Sequence, residues 1–205
     1  MKKITNKKLF SNEYKEQIKQ FHKTSRFGGL IKQDKIIHSQ FSKRELERDS
    51  AKWMQYIDDA ERILDYGCGA GGWVHRLRFL YPKKEVIGYD PGTEEFKDLP
   101  KGKFDLLIST DVLEHIEPKL LPNVLKHINE LSIKYLYLNV CMSPAKKRLA
   151  DGRNAHLTIE NEMWWDRNIQ RYIKSEVIHK CDSSKRWGNN DEFISKNVHF
   201  VLKKN

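Results

Sequence analysis

The chain has 205 residues, a length that predicts one domain with a sizeable hydrophobic core. Hydrophobic residues make up 39% of it and charged residues 32%, and no stretch approaches the roughly 18 consecutive apolar residues of a membrane helix. The first residues are charged but lack the apolar stretch of a secretion signal. Composition therefore predicts neither a membrane span nor secretion.

The three cysteines, Cys68, Cys141 and Cys181, lie far apart and form no C-x-x-C pair. This spacing argues against a zinc site and against a set of disulfide bonds. Each cysteine is most simply explained as a small buried residue. We therefore predict no bound metal and a reducing, cytoplasmic location.

The formal net charge is +10, and two interpretations of it stay open. A partner that carries phosphates would fit, because lysines release counterions from nucleic acid. Charges scattered over solvated faces would also fit, and the absence of a long basic run favours this second interpretation. The short basic clusters are Lys2-Lys3, Lys7-Lys8, Lys146-Lys147-Arg148 and Lys203-Lys204.

The first sixty residues contain two predicted helices and no motif of their own. Residues 12–22 and 41–57 have helical patterns, and Gly28-Gly29 between them is a predicted point of flexibility. We therefore divide the chain into a helical extension at residues 1–60 and a main domain at residues 61–205.

From residue 62 onward, strands and helices alternate. The predicted strands are RILDYG, KEVIGYD, KFDLLIST and IKYLYLNVCM, and the predicted helices are GWVHRLRFLY, EPKLLPNVLKHINELS and IENEMWWDRNIQRYI. Pro118 is expected near the start of the second helix, and Glu160 and Glu162 in the first turn of the third. This alternation predicts a parallel sheet with helices on both faces.

The alternation stops near the end of the chain. SEVIHKCD and EFISKNVHFVLKK are predicted strands joined by the polar turn SSKRWGNND, with no helix between them. They must be antiparallel, because a parallel connection needs a crossover. The predicted fold class is therefore α/β: a Rossmann-like, open, mostly parallel sheet with helices on both faces and an antiparallel C-terminal hairpin.

The segment ILDYGCGAGG at residues 63–72 joins the first strand of the sheet to the helix that follows. Gly67, Gly69 and Gly72 match G-x-G-x-x-G, the spacing associated with dinucleotides. Asp65, two residues before Gly67, also gives D-x-G-x-G. Asp65 would repel a pyrophosphate on the loop but would attract an ammonium group, so it favours S-adenosylmethionine over a dinucleotide.

Together with VIGYD, FDLLISTDVLEHI and the closing hairpin, this loop resembles the motifs of class I S-adenosylmethionine-dependent methyltransferases, over roughly residues 60–205. The resemblance implies that S-adenosylmethionine is the cofactor, that S-adenosylhomocysteine is its product, and that Asp90 contacts the ribose. In similar methyltransferases such an extension is a lid, which could hinge at Gly28-Gly29 and bring Arg26 or Phe27 to the ligand; an extension that only packs against the domain is the alternative. The implied cofactor-binding residues are Asp65, Gly67, Cys68, Gly69, Asp90, Pro91, Ser109, Thr110, Asp111 and Val112.

One segment departs from the family's pattern. Only PGTEEFKDLPKGK separates Asp90 from Phe104, which is too short for the helix and strand that the family normally has there. We expect that helix and strand to be trimmed or absent. The adenine-binding residue is not assigned, and Glu94, Glu95 and Asp98 are weak candidates.

Three side chains are candidates for work on the methyl acceptor. His115 follows the KFDLLIST strand and has an imidazole near working pH, so it is the first candidate for a base, with packing in its loop as the alternative. Arg153 and His156 lie in the segment after the next strand and could meet a polar or anionic acceptor. Of the adjacent Trp164 and Trp165, one is expected to pack inward, because neighbours on a helix face different ways.

Three classes of function remain open. The favoured one is a methyltransferase acting on a small-molecule or sugar-like acceptor. The alternative is a nucleic-acid (RNA) or protein methyltransferase, which the net charge supports. The least favoured is an NAD(P)-dependent oxidoreductase, which only the G-x-G-x-x-G spacing supports.

Overall fold

The computed structural model describes residues 8–24, 49–187 and 193–205. The helices in these ranges are α1 (Asn12–Thr24), α2 (Gly72–Leu80), α3 (Leu121–Leu131) and α4 (Glu162–Tyr172). The strands are β1 (Arg62–Tyr66), β2 (Glu85–Tyr89), β3 (Phe104–Thr110), β4 (Ser132–Cys141), β5 (Glu176–Trp187) and β6 (Phe193–Lys203). Short 3-10 helices cover Asp49–Tyr56, Glu94–Phe96 and Leu113–His115. None of the described helices is both long and apolar enough to cross a membrane.

The described strands form one six-stranded sheet in the order β2-β1-β3-β4-β6-β5. Strand β1 pairs in parallel with β2 and β3, and β3 pairs in parallel with β4. Strand β6 lies antiparallel between β4 and β5. The predicted fold class, a mostly parallel sheet that ends in an antiparallel hairpin, is confirmed.

Helices cover both faces of this sheet. On one face, α1, α3 and α4 bury apolar side chains such as Tyr14, Leu125 and Trp165 against the strands. On the other face, α2 and the 3-10 helix Asp49–Tyr56 bury Leu77 and Trp53. Because both faces are covered, the ends of the strands are the places where a ligand can reach the sheet.

The connection between β2 and β3 is short, as expected. It contains only the 3-10 helix Glu94–Phe96, and β2 is therefore an edge strand. Phe96 is buried and fills the space under two glycines, since a Cβ at Gly71 or Gly88 would lie 2.6 or 2.9 Å from its ring. One aromatic side chain thus packs where the family normally has a helix and a strand.

Two helices begin later than the sequence predicted. Helix α3 begins at Leu121 with Pro122 in its first turn, so Pro118 lies outside it. Helix α4 begins at Glu162, because the side chain of Asn161 accepts a hydrogen bond from the Trp164 amide and caps the helix there. Glu160 therefore precedes the helix instead of occupying its first turn.

The predicted C-terminal turn needs correction, and predictions for the first sixty residues fall partly outside the residues that the structure describes. Strand β5 continues to Trp187, through much of the segment predicted to be a polar turn. Of the helix predicted at residues 41–57, the part from residue 49 is a 3-10 helix and the rest lies outside the described residues. The predicted hinge at Gly28-Gly29 and the predicted ligand contacts of Arg26 and Phe27 also lie outside them.

Candidate active site at the carboxyl edge of the sheet

The predicted site segments meet at one edge of the sheet. The glycine loop follows β1, Asp90 follows β2, Asp111 follows β3, and the segment with His156 follows β4. These four strands are parallel, so their carboxyl ends lie together. In open α/β sheets this edge is where ligands bind.

The backbone of the glycine loop has a left-handed conformation at three alternate residues. Gly67, Gly69 and Gly71 have φ angles of 83°, 55° and 81°. A Cβ at Gly67 would also lie 2.3 Å from Val112, whereas a Cβ at Gly72 would meet nothing within 4 Å. The conformational requirement is therefore G-x-G-x-G, and Gly72, which completed the dinucleotide spacing, is not part of it.

Asp90 holds the glycine loop in place. Its Oδ2 accepts a hydrogen bond from the Gly69 amide at 2.9 Å, and its Oδ1 accepts one from the Gly92 amide at 2.8 Å. The amides of Gly67 and Cys68 donate to the carbonyl of Tyr89, just before Asp90. The ends of β1 and β2 are thus tied together.

Asp65 and Cys68 lie beneath this loop. Burial raises the pKa of Asp65 to about 7, and the negative charge of Asp90 adds to the rise. The thiol of Cys68 is also buried, and burial raises its pKa. Its Sγ lies 2.8 Å from where a Cβ of Gly88 would be, so it faces β2 and the core. Cys68 would therefore contact a cofactor through its backbone and not through its side chain.

The end of β3 contributes polar groups to the same edge. The buried Oγ of Ser109 has no hydrogen-bond partner among the described residues. Thr110 and Val112 are half-buried on either side of Asp111, whose φ angle of 54° is left-handed. The Oδ1 of Asp111 accepts hydrogen bonds from the side-chain amides of Asn139 at 3.2 Å and Asn197 at 3.0 Å. The sequence reasoning missed both asparagines, because their approach depends on the pairing of β4 with β6.

His115 and His156 come together although 41 positions separate them. Their ring centroids are 4.7 Å apart and their planes lie at 88°. Nδ1 of His115 bonds to the carbonyl of Ala155 at 2.8 Å, and Nδ1 of His156 bonds to the carbonyl of Ser143 at 2.6 Å. A carbonyl only accepts, so Nδ1 carries the proton in both rings and Nε2 keeps its lone pair when the rings are neutral.

Arg153 contacts residues other than this histidine pair. Its guanidinium is bonded to Asp151 at 2.6 Å and reaches Gln17 of α1 at 3.4 Å, and its side chain is 50% exposed. Of the two tryptophans, Trp165 is fully buried and Trp164 only partly, as their positions on one helix predict. The role of Arg153 toward an acceptor stays a prediction.

Glu114 is buried completely between the ends of β3 and β4. Its Oε1 accepts a hydrogen bond from the Cys141 amide at 3.1 Å, while its buried Oε2 has no partner among the described residues. Burial raises the pKa of Glu114 well above its ordinary value, with the charge of Asp111 adding to the rise.

Helix α1 lies across the loops that follow β2, β3 and β4 at this edge. Ile18 packs against Gly92, the Ser11 amide donates to Glu117 at 2.9 Å, and Gln17 donates to Asp151 at 2.8 Å. Tyr14 is buried, and burial raises its pKa with further contributions from the charges of Asp90, Glu114 and Glu117. Its phenol therefore lies within electrostatic range of both the loop edge and Glu114. No motif in the sequence indicated this residue.

A comparison with known families agrees with this geometry. A family profile described as a methyltransferase domain matches residues 32–178, which is more than half of the chain. The chain therefore belongs to the methyltransferase domain family. The predicted enzyme class, a class I methyltransferase, is confirmed.

Solved structures share the fold at low sequence identity. TehB from Haemophilus influenzae has a TM-score of 0.58 at 17% identity over 77% of this chain, which spans 62% of that chain. The 1,6-didemethyltoxoflavin-N1-methyltransferase of Burkholderia thailandensis has a TM-score of 0.58 at 14% identity, covering 100% of this chain and 92% of that one. The magnesium protoporphyrin IX methyltransferase ChlM from Synechocystis PCC 6803, with bound SAM, has a TM-score of 0.56 at 15% identity, covering 95% and 99%. No protein of curated function matches the sequence significantly.

Proposed function

We propose that this protein is an S-adenosylmethionine-dependent methyltransferase that acts on a small-molecule or sugar-like acceptor. The observation that carries the proposal is the glycine loop with three left-handed residues, tied to Asp90 and lying above Asp65. S-adenosylmethionine supplies a methyl group already activated by its sulfonium. The protein therefore needs mainly to bind, to align and to exclude water.

Each part of the loop edge suits one part of that cofactor. The amides at the start of α2 favour the methionine carboxylate, because a helix N-terminus attracts negative charge. Asp65 can accept from the ammonium group, and Asp90 from the ribose hydroxyls. The Oγ of Ser109, which has no partner in the part of the chain that the structure describes, is a further donor at the same edge. The remaining residues proposed to contact the cofactor are Gly67, Cys68, Gly69, Pro91, Thr110, Asp111 and Val112.

Enclosure of the edge supports a small acceptor. Helix α1 covers the loops after β2, β3 and β4, and residues 1–60 would form the lid over a catalytic domain at residues 61–205. The named acceptor of the B. thailandensis structure, 1,6-didemethyltoxoflavin, is a small molecule. His115 and His156 would face the acceptor as the groups that orient it or take its proton, and Arg153 would meet an anionic part. We place this activity in the cytoplasm.

The experiment is a binding assay followed by a transfer assay. Calorimetry of the purified full chain should show S-adenosylhomocysteine binding in about the micromolar range and no comparable heat with NAD or NADP. Radiolabelled S-adenosylmethionine should then label a small-molecule fraction of the source cells. NADP binding without S-adenosylhomocysteine binding would overturn the methyltransferase proposal, and label in RNA or protein alone would overturn the acceptor class.

A further inference from the structure

Three potential metal ligands from separate segments meet beside the histidine pair. They are Glu114 after β3, Cys141 at the end of β4 and His156 in the loop beyond it, and one ligand atom of each lies within 4.8 Å of the others. Glu114 and Cys141 are buried and His156 is half-buried. The group lies at the same edge of the sheet as the glycine loop.

The Glu114 carboxylate is incompletely satisfied in this position. Oε1 accepts from the Cys141 amide, but the buried Oε2 has no hydrogen-bond partner among the described residues. A buried carboxylate oxygen without a partner is strongly unfavourable; protonation of the carboxyl removes the charge, whereas coordination of a cation also gives the oxygen a partner. Glu114 is therefore an independent indication of a ligand at this place.

The hydrogen bond of His156 suits coordination, and the Cys141 sulfur has two polar neighbours. Nδ1–H of His156 donates to the Ser143 carbonyl at 2.6 Å, which fixes the ring and leaves the Nε2 lone pair for a metal. Metal-binding histidines usually have such a backbone or carboxylate partner on the other nitrogen. Sγ of Cys141 lies 3.2 Å from the Ser195 hydroxyl, which itself donates to Asn197 at 3.0 Å, and the Cys141 thiol donates to the Ser143 carbonyl at 3.6 Å.

We propose that Glu114, Cys141 and His156 bind a divalent transition-metal ion of the zinc class. One thiolate, one imidazole and one carboxylate are the ligand types that zinc takes, whereas magnesium and calcium prefer oxygen alone. Binding releases the Cys141 thiol proton to solvent, together with the Glu114 proton if the carboxyl is protonated, so affinity rises with pH. The sequence argument against zinc considered only C-x-x-C pairs, and this set has a single cysteine.

Three protein ligands leave a fourth coordination position, as in catalytic zinc sites. That position can hold water or an oxygen of the acceptor, since His115 and the loop edge are adjacent. This second part rests on the proposed function, while metal binding itself does not. In this arrangement His156 is a metal ligand, and His115 remains the candidate base.

The test is a titration of the metal-free full chain with Co²⁺, whose spectrum reports a bound thiolate. We expect one ion per chain with a sulfur-to-cobalt charge-transfer band, competed by Zn²⁺ and not by Mg²⁺. Cys141→Ser should abolish the band, and Glu114→Gln should weaken binding by about tenfold or more. Cys181→Ser, which changes a half-buried thiol on β5, is the matched control and should leave the charge-transfer band and the cobalt affinity unchanged.

A second measurement uses only the parent chain, in case a variant fails to fold. X-ray absorption of the zinc-loaded protein should show one sulfur neighbour at about 2.3 Å with nitrogen or oxygen neighbours at about 2.0–2.1 Å. Absence of stoichiometric binding, a band retained in Cys141→Ser, or zinc without a sulfur neighbour would overturn the proposal. S-adenosylhomocysteine binding, measured on the same samples, reports separately on the proposed function.

Discussion

Two neighbouring glycines of the loop, Gly71 and Gly72, differ in what a side chain would meet. At Gly71, with φ of 81°, a Cβ would lie 2.6 Å from Phe96, whereas at Gly72 it would meet nothing. Gly71→Ala should therefore lower the free energy of unfolding by about 1–3 kcal/mol. Gly72→Ala, at the start of α2, should be neutral or stabilise by up to about 1 kcal/mol. Urea unfolding measures the stability of both variants. A Gly71→Ala variant more stable than Gly72→Ala would contradict the loop geometry.

Asp90 is expected to act on the cofactor, unlike a comparable aspartate at the other edge of the sheet. Asp90→Ala should weaken S-adenosylhomocysteine binding by about 1.5–3 kcal/mol, because bonds to the ribose and to the Gly69 amide are both lost. Asp105, the control, accepts from the amides of Glu61 and Arg62 at the amino edge. Asp105→Ala should reduce stability but leave cofactor affinity unchanged in calorimetry. Equal affinity in both variants would place Asp90 outside the site.

The buried carboxyl of Asp65 should make stability depend on pH. Its pKa is raised from 3.8 to about 7 in the folded protein, so the folded state binds more protons than the unfolded state between these values. The contribution of Asp65 is therefore fully present below about pH 4 and is lost as pH rises through about 7. Asp65→Asn cannot titrate and should lack this part of the decline. Urea unfolding at pH 5 and pH 8 measures it, and equal declines in parent and variant would contradict the assignment.

The sequence predicted part of the site at this scale. The positions of Asp65, Gly67, Gly69 and Asp90 follow from short motifs, because their spacing along the chain is what the loop requires. Which of Gly71 and Gly72 needs a left-handed backbone depends on the fold of the loop and on Phe96, which lies 25 positions beyond Gly71. The contact of Glu114 with Cys141 depends on the register of β3 with β4, which no local pattern contains.

At the scale of elements, α1 is predicted to contribute to stability through one face. Ile18 is buried against Gly92, whereas Lys15 on the same helix is exposed. Ile18→Ala should lower the free energy of unfolding by about 2–5 kcal/mol, the usual value for a buried isoleucine, and Lys15→Ala should change it by less than about 0.5 kcal/mol. Chemical unfolding measures both. An Ile18→Ala variant as stable as the parent would mean that α1 does not dock on the sheet edge in solution.

The strand-and-helix rhythm was predictable because buried parallel strands have apolar runs and helices have a periodic apolar face. Strand β5 was predicted too short because it lies at the edge of the sheet. Polar residues such as Ser184 are exposed there, so the segment that follows Asp182 resembles a turn in composition. The start of α4 was placed too early because the capping residue, Asn161, and not the acidic residues around it, determines where the helix begins.

For the whole molecule, the net charge of +10 leads to a prediction about salt. If the acceptor is small, methyl transfer should change little between low and moderate ionic strength, and Lys146→Ala with Lys147→Ala should leave it unaffected. A nucleic-acid acceptor would instead give a steep loss, about one logarithmic unit of slope per phosphate contact. Initial rates at several salt concentrations distinguish the two. A slope of several units would move the acceptor to the nucleic-acid class.

The position of β6 between β4 and β5 has a consequence for the order in which the sheet can form. Strand β5 follows β4 along the chain, but the two are not neighbours in the sheet. Strand β6, which comes last, lies between them and pairs with β5 and with residues Tyr135 to Cys141 of β4. A chain in which β5 has formed before β6 is in place therefore holds a strand without its partner, the kind of intermediate that aggregates. The parallel strands β1 to β4 can pair with one another first, and the antiparallel half closes only when β6 inserts.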